Sequence, residues 1–133
     1  MTYNFPSHII RNINFLNRLA KTRSNRLRHT LILQATPEQI LSIVEISANI
    51  LGSHFNLSTR QRKRLAKYAD YYRNIARSRS ENTARRRISS GFNQEGGQAA
   101  IAILLAPILS SIAQSLLDKA LNHEAHKEND INS

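Results

Sequence analysis

The chain has 133 residues, no cysteine and a net charge of +10. That length allows one modest helical core, alone or with a tail, and excludes a large enclosed active site. The lack of cysteine excludes a disulfide framework and any cysteine-based zinc site and fits a reducing compartment. The opening MTYNFPSHIIRNINFLNRLAK lacks the charged-then-apolar layout of a signal peptide.

Apolar residues recur with a helical period almost throughout, and no run alternates as a strand would. The predicted fold class is all-α: a small bundle of four to five helices, a glycine hinge, then an apolar C-terminal helix or helical hairpin. The first helix is predicted over 7–21, with Ile9, Ile13, Leu16 and Ala20 on one face, and a short basic helix over 25–34. In TPEQILSIVEISANILG, Thr36 is a good N-cap, Pro37 suits the first helical position and Gln39 completes a capping box. Gly52 fits a left-handed C-terminal residue. This helix is apolar over most of its surface and is predicted to be the central one.

A second marked start, Ser58 with Gln61, opens a helix predicted over 58–77. Leu65, Tyr68, Ala69, Tyr72, Ile75 and Ala76 form its apolar face, and Arg60, Arg64, Lys67 and Tyr71 the opposite one. Basic residues at a helix start oppose the dipole, so stability alone would not select them. A polar, Ser-rich stretch then leads through TARRRISSGF to Gly91, Gly96 and Gly97. The expected organisation is a basic bundle over 1–80, a basic linker over 81–95, an apolar segment over 96–121 and a polar tail over 122–133.

The charge is concentrated. From Arg11 to Arg28 there are six basic residues and no acid, and from Arg60 to Arg87 eleven basic residues and two acids. Two such blocks point to a polyanionic partner, with nucleic acid first and an anionic membrane surface second. Phosphate contacts are expected from Arg60, Arg62, Lys63, Arg64, Lys67, Arg85, Arg86 and Arg87, supported by Arg23, Arg26 and Arg28. Tyr71 is placed to stack on a base. No zinc-finger, homeodomain or basic-zipper spacing occurs, so binding without sequence preference is expected.

The segment 96–117 is uncharged and long enough to cross a bilayer, but Pro107 sits mid-segment and Gln98, Ser110, Ser111, Gln114 and Ser115 interrupt it. Ala102, Ala106 and Ser110 recur every four residues, a spacing that permits close helix packing. Three roles remain open: a helix or hairpin docked on the core or on another copy, a membrane-active peptide, or a transmembrane span. In each, Ile101, Ile103, Leu104, Leu105, Ile108, Leu109, Ile112 and Leu116 would make the contacts.

No catalytic constellation stands out. His8, His29, His54, His123 and His126 are scattered, and HEAH in the polar tail is a poor metal pair. The Gly-Gly is not a phosphate loop, because no Gly-Lys-Ser/Thr follows it. The expectation is a protein that is not an enzyme, with no cofactor and no metal.

The order of these features resembles small basic helical proteins of invertebrate and fish DNA viruses and of Maverick (Polinton) elements. The resemblance rests on TPEQILSIVEISANIL, NLSTRQRKRLAKYADYYRNIARS, the cluster Arg85–Arg86–Arg87, Gly96–Gly97 and AILLAPILSSIAQSLL, and spans roughly 15–120. In layout it is similar to the adenovirus minor core (mu-type) precursor, a basic stretch followed by a Gly-Gly apolar segment with proline. The resemblance implies a virion or mobile-element component that binds the genome, located in the virion and, before assembly, in the host nucleus or cytoplasm. A membrane-active entry protein and a cement protein that binds capsid subunits are the two alternatives.

Overall fold

The computed structural model describes residues 7–52, 57–93 and 97–131. Among them are eight α-helices and no strand: α1 (Ser7–Arg11), α2 (Ile13–Lys21), α3 (Asn25–Gln34), α4 (Pro37–Leu51), α5 (Thr59–Ala66), α6 (Ala69–Ala76), α7 (Glu81–Ser90) and α8 (Gly97–Ile131), with a 3-10 turn at Gly91–Asn93 before α8. The all-α expectation holds, with more helices than predicted because two predicted helices are each broken and the predicted linker holds another.

The first break falls at Asn12. Its backbone N–H turns back to the Ile9 carbonyl and its side-chain amide donates to the His8 carbonyl at 2.6 Å, which closes α1 early. The second falls at Lys67–Tyr68, where the Tyr68 N–H bonds to the Leu65 carbonyl, three residues back. That tighter turn rotates α6 relative to α5, so both Tyr71 and Tyr72 face inward.

The helix starts obey local chemistry. The Gln39 N–H donates to Thr36 Oγ1 at 3.2 Å and Gln39 Oε1 accepts from the Thr36 N–H at 2.9 Å. Ser58 and Gln61 make the same reciprocal pair at 3.1 and 2.8 Å. Each box satisfies two of the N–H groups a helix start leaves unpaired. Gly52 ends α4 with φ −79° and ψ 2°, so the left-handed residue expected there is not one.

Helix α4 is central, packing against α1, α6, α7 and α8. Ile40, Ile43, Ile46 and Ile50 are buried, and so are Ser42 and Ser47, whose hydroxyls donate to the carbonyls four residues back at 2.9 Å. Their small, self-satisfied side chains let neighbouring helices come close without an unpaired polar atom.

Helix α8 differs most from the expected layout. Its first half lies on α2, α4 and α5 and places Ala100, Ile101, Leu104, Leu105, Ile108 and Ile112 in the same core. Burying one large aliphatic side chain contributes about 1.5–3 kcal/mol, so the five here supply on the order of 10 kcal/mol. That is comparable to the net stability of a whole domain. The first half of α8, as far as Ile112, is therefore part of the domain and not a separate module. The helix also continues through the expected polar tail to Ile131, as its Ala, Glu and Lys residues favour once a helix is nucleated.

The predicted linker over 81–95 is, as far as 93, structured too. Ser80 caps α7 by accepting from the Thr83 N–H at 3.2 Å, and Ala84, Ile88 and Phe92, spaced by four, are fully buried. Gly91 is a packing position: a Cβ there would lie 2.5 Å from the Tyr71 ring. Gly96 lies outside the described residues.

Candidate nucleic-acid interface

Residues 1–93 hold 17 Lys and Arg against four Asp and Glu, a net +13, while 94–133 hold two against five, a net −3. All four acids of the basic part are engaged: Glu38 with Arg11, Glu45 with His8, Asp70 with Arg73 at 2.7 Å, and Glu81 with Arg85. The Arg11 guanidinium holds the Glu38 carboxyl below its ordinary range. Most of the remaining cations are left without a carboxylate.

Helix α5, TRQRKRLA, gathers the densest group. Only Leu65 is buried, so the helix rides on the surface by one anchor while its capping box starts it. Arg60, Arg62, Lys63, Arg64 and, just past its end, Lys67 are all exposed, and among the described residues none has an ion-pair partner. Like charges three and four apart cost a few tenths of a kcal/mol per pair, and Arg60 opposes the dipole. The capping box, the buried Leu65 and the placement of Lys63 and Arg64 in the last turn offset part of that cost, and no carboxylate pairs with the group. Arg64 and Gln61 line a shallow cleft with Ala106, Pro107 and Ser110 of α8, while Arg62 borders an apolar cleft of about 200 Å³ lined by Ile50, Leu57, Leu65 and Tyr72.

The N-terminal block divides. Arg23 and Arg26 are exposed at the α2–α3 connection, together with Arg18 and Lys21, which the sequence reading does not single out. Each is a basic residue with no acid within helical reach, the signal by which they could have been found. Arg28 is a correction: it is only 5% exposed, its Nη1 bonds to Asn25 Oδ1 at 3.3 Å, and burial lowers its pKa. It faces the interior and has no surface from which to meet a phosphate.

The triple arginine also divides. Arg85 Nη1 donates to the Ile32 carbonyl and Nη2 to the Ala35 carbonyl, each at 2.6 Å, closing the C-terminal end of α3 from 50 residues away. Arg87 Nη1 donates to the Asn74 carbonyl at 2.8 Å, near the end of α6. Helix ends leave carbonyls unpaired, and these two side chains satisfy them. Arg86 between them is exposed and uncommitted. Arg77 and Arg79, at the α6–α7 connection, are exposed as well.

Tyr71 is not presented for stacking. Its hydroxyl donates to the Ile88 carbonyl at 2.6 Å and its ring covers Gly91, and burial raises its pKa. Tyr72 is fully buried and donates to the Ala100 carbonyl at 2.7 Å, fixing α6 to α8.

Of the apolar contact residues, Ile101, Leu104, Leu105, Ile108 and Ile112 are buried, Ile103 and Leu109 half-buried, and Leu116 exposed. The stretch Ala99–Asn122 is long and apolar enough to cross a membrane, yet its first half is already core. Among the described residues there is no group of three or more potential metal ligands. His54 and the side chains of HEAH lie outside the described residues. Comparison with known families, curated proteins and solved structures finds no match.

Proposed function

We propose that this protein binds nucleic acid without sequence preference, as a nonenzymatic structural component that packages or coats a genome. The observation that carries the reading is α5: five exposed cations on and just past an eight-residue helix, none of them with an ion-pair partner among the described residues. Arg23, Arg26 and Arg86 extend the contact set. Arg85 and Arg87 act in folding, and Arg28 lies inside. DNA in a virion or a mobile element is the partner favoured by the resemblance to viral and Maverick proteins.

Each phosphate neutralised on duplex DNA contributes about −0.9 to the slope of log K against log salt, so five contacts give a slope of roughly −4.5. Replacing Arg60, Lys63 and Lys67 by Gln should weaken binding to unrelated duplexes alike and flatten that slope by about 2.7. An unchanged slope and affinity, with the fold intact by circular dichroism, would refute the assignment. Retention on capsid protein but not on DNA would replace it by the cement reading.

A further inference from the structure

The second half of α8 leaves the body with an apolar face that nothing covers. Leu116, Leu117 and Leu121 are 48%, 53% and 56% exposed. Alanines recur every seven residues along the helix, at Ala99, Ala106, Ala113 and Ala120, and all four are exposed. A seven-residue repeat on an α-helix is the period of a left-handed two-helix seam, with the flanking leucines packing on either side of the small positions.

From this geometry we infer that the occupant of the seam is a second copy of the chain, with the two α8 helices antiparallel and crossing near Ala113. Ala113 lies next to the midpoint of the 35-residue helix, so this register overlaps the two helices along nearly their full length, about 50 Å. It sets Ala106 opposite Ala120 and Leu109 opposite Leu117 of the other copy. Charge selects the direction. Residues 1–93 carry +13, whereas 118–130 carry Asp118, Glu124, Glu128 and Asp130 against Lys119 and Lys127. Antiparallel pairing brings each acidic end to the other copy's basic body, beside α5, which packs on the first half of α8. Parallel pairing would set two strongly basic bodies side by side.

The test uses full-length protein. Sedimentation equilibrium should show a monomer–dimer system, and Ala113→Glu should weaken it by tenfold or more while leaving helicity and melting of the monomer unchanged, because residue 113 is exposed. The chain has no cysteine, so single substitutions report geometry cleanly. Ala113→Cys should cross-link with itself on oxidation. Ala106→Cys and Ala120→Cys should cross-link only when mixed. Self-cross-linking of all three variants alike would mean a parallel pair and overturn the proposal. So would a monomer that leaves the seam to anionic phosphatidylserine vesicles, or a dimer indifferent to Ala113→Glu.

Discussion

Replacing Leu104 by Ala tests whether the apolar C-terminal segment is part of the fold or a detachable peptide. Leu104 is completely buried in a core to which all eight helices contribute. Removing its outer carbons loses their transfer energy and leaves a partly collapsed cavity, together about 2–5 kcal/mol. For a chain of this size, a loss of about 3 kcal/mol lowers the melting midpoint by roughly 10 °C. The matched control is Leu33→Ala, on a side chain 79% exposed on α3, which should stay within about 0.5 kcal/mol of the parent. Thermal melts followed by circular dichroism read both. A Leu104→Ala protein melting within about 2 °C of the parent would refute the packing of α8 and return the segment to the membrane. For the same reason, a chain ended after residue 95 loses much of its core and will not fold, so point variants, not that truncation, should be used in binding experiments.

The triple arginine and the buried tyrosines supply two further tests. Arg85→Ala strands the Ala35 carbonyl, leaves the Ile32 carbonyl only its 3.4 Å bond from the Ala35 N–H, and should cost about 1–3 kcal/mol in urea melts with little direct effect on DNA contact, whereas Arg86→Ala should weaken DNA binding and leave stability alone. Equal behaviour of the two variants would contradict the division drawn between them. Burial raises the pKa of both Tyr71 and Tyr72 above the ordinary value of 10.0, so their protonated form is favoured in the fold. Their contribution is complete below that value and is lost as pH climbs above it, because the unfolded chain releases protons that the native state keeps. The expected slope is up to about 1.4 kcal/mol per pH unit for each tyrosine, halved overall in Tyr71→Phe. Urea-melt stability unchanged to about pH 11 would contradict it.

The parts of the fold legible in the sequence are those written in neighbouring residues. Thr36–Pro37 with Gln39, and Ser58 with Gln61, announce two helix starts, and the isoleucine-rich run between them announces the central helix. The breaks at Asn12 and at 67–68 carry no proline or glycine; at Asn12 the side-chain amide takes the His8 carbonyl, and at 67–68 the Tyr68 N–H turns back to the Leu65 carbonyl. Helix α7 is hidden in the sequence because only Ala84 and Ile88 of its ten residues enter the core, among three arginines and several serines. The clustered glycines read as a boundary, yet Gly91 is there to admit the Tyr71 ring. For the candidate site, composition pointed to α5, whose five cations are exposed in the fold. It could not separate Arg86 from Arg85, because the carbonyls that occupy Arg85 are 50 and 53 residues away. Nor could it say where the covered part of the apolar segment ends, since Leu116, Leu117 and Leu121 continue the aliphatic run and only the body's extent decides.

The place of the core-closing residues in the chain also orders events during synthesis. Between Ile9, the first buried residue described, and Ile112, the last, a ribosome adds about a hundred amino acids, which takes roughly 5–20 s at ordinary elongation rates. Throughout that interval the earlier helices have no α8 to lie on, and their apolar faces emerge alongside a strongly cationic surface. The nascent chain is thus most prone to aggregate, and most in need of a chaperone, just before the first half of α8 emerges. Early termination anywhere in the first half of α8 would release a polycation with an open core.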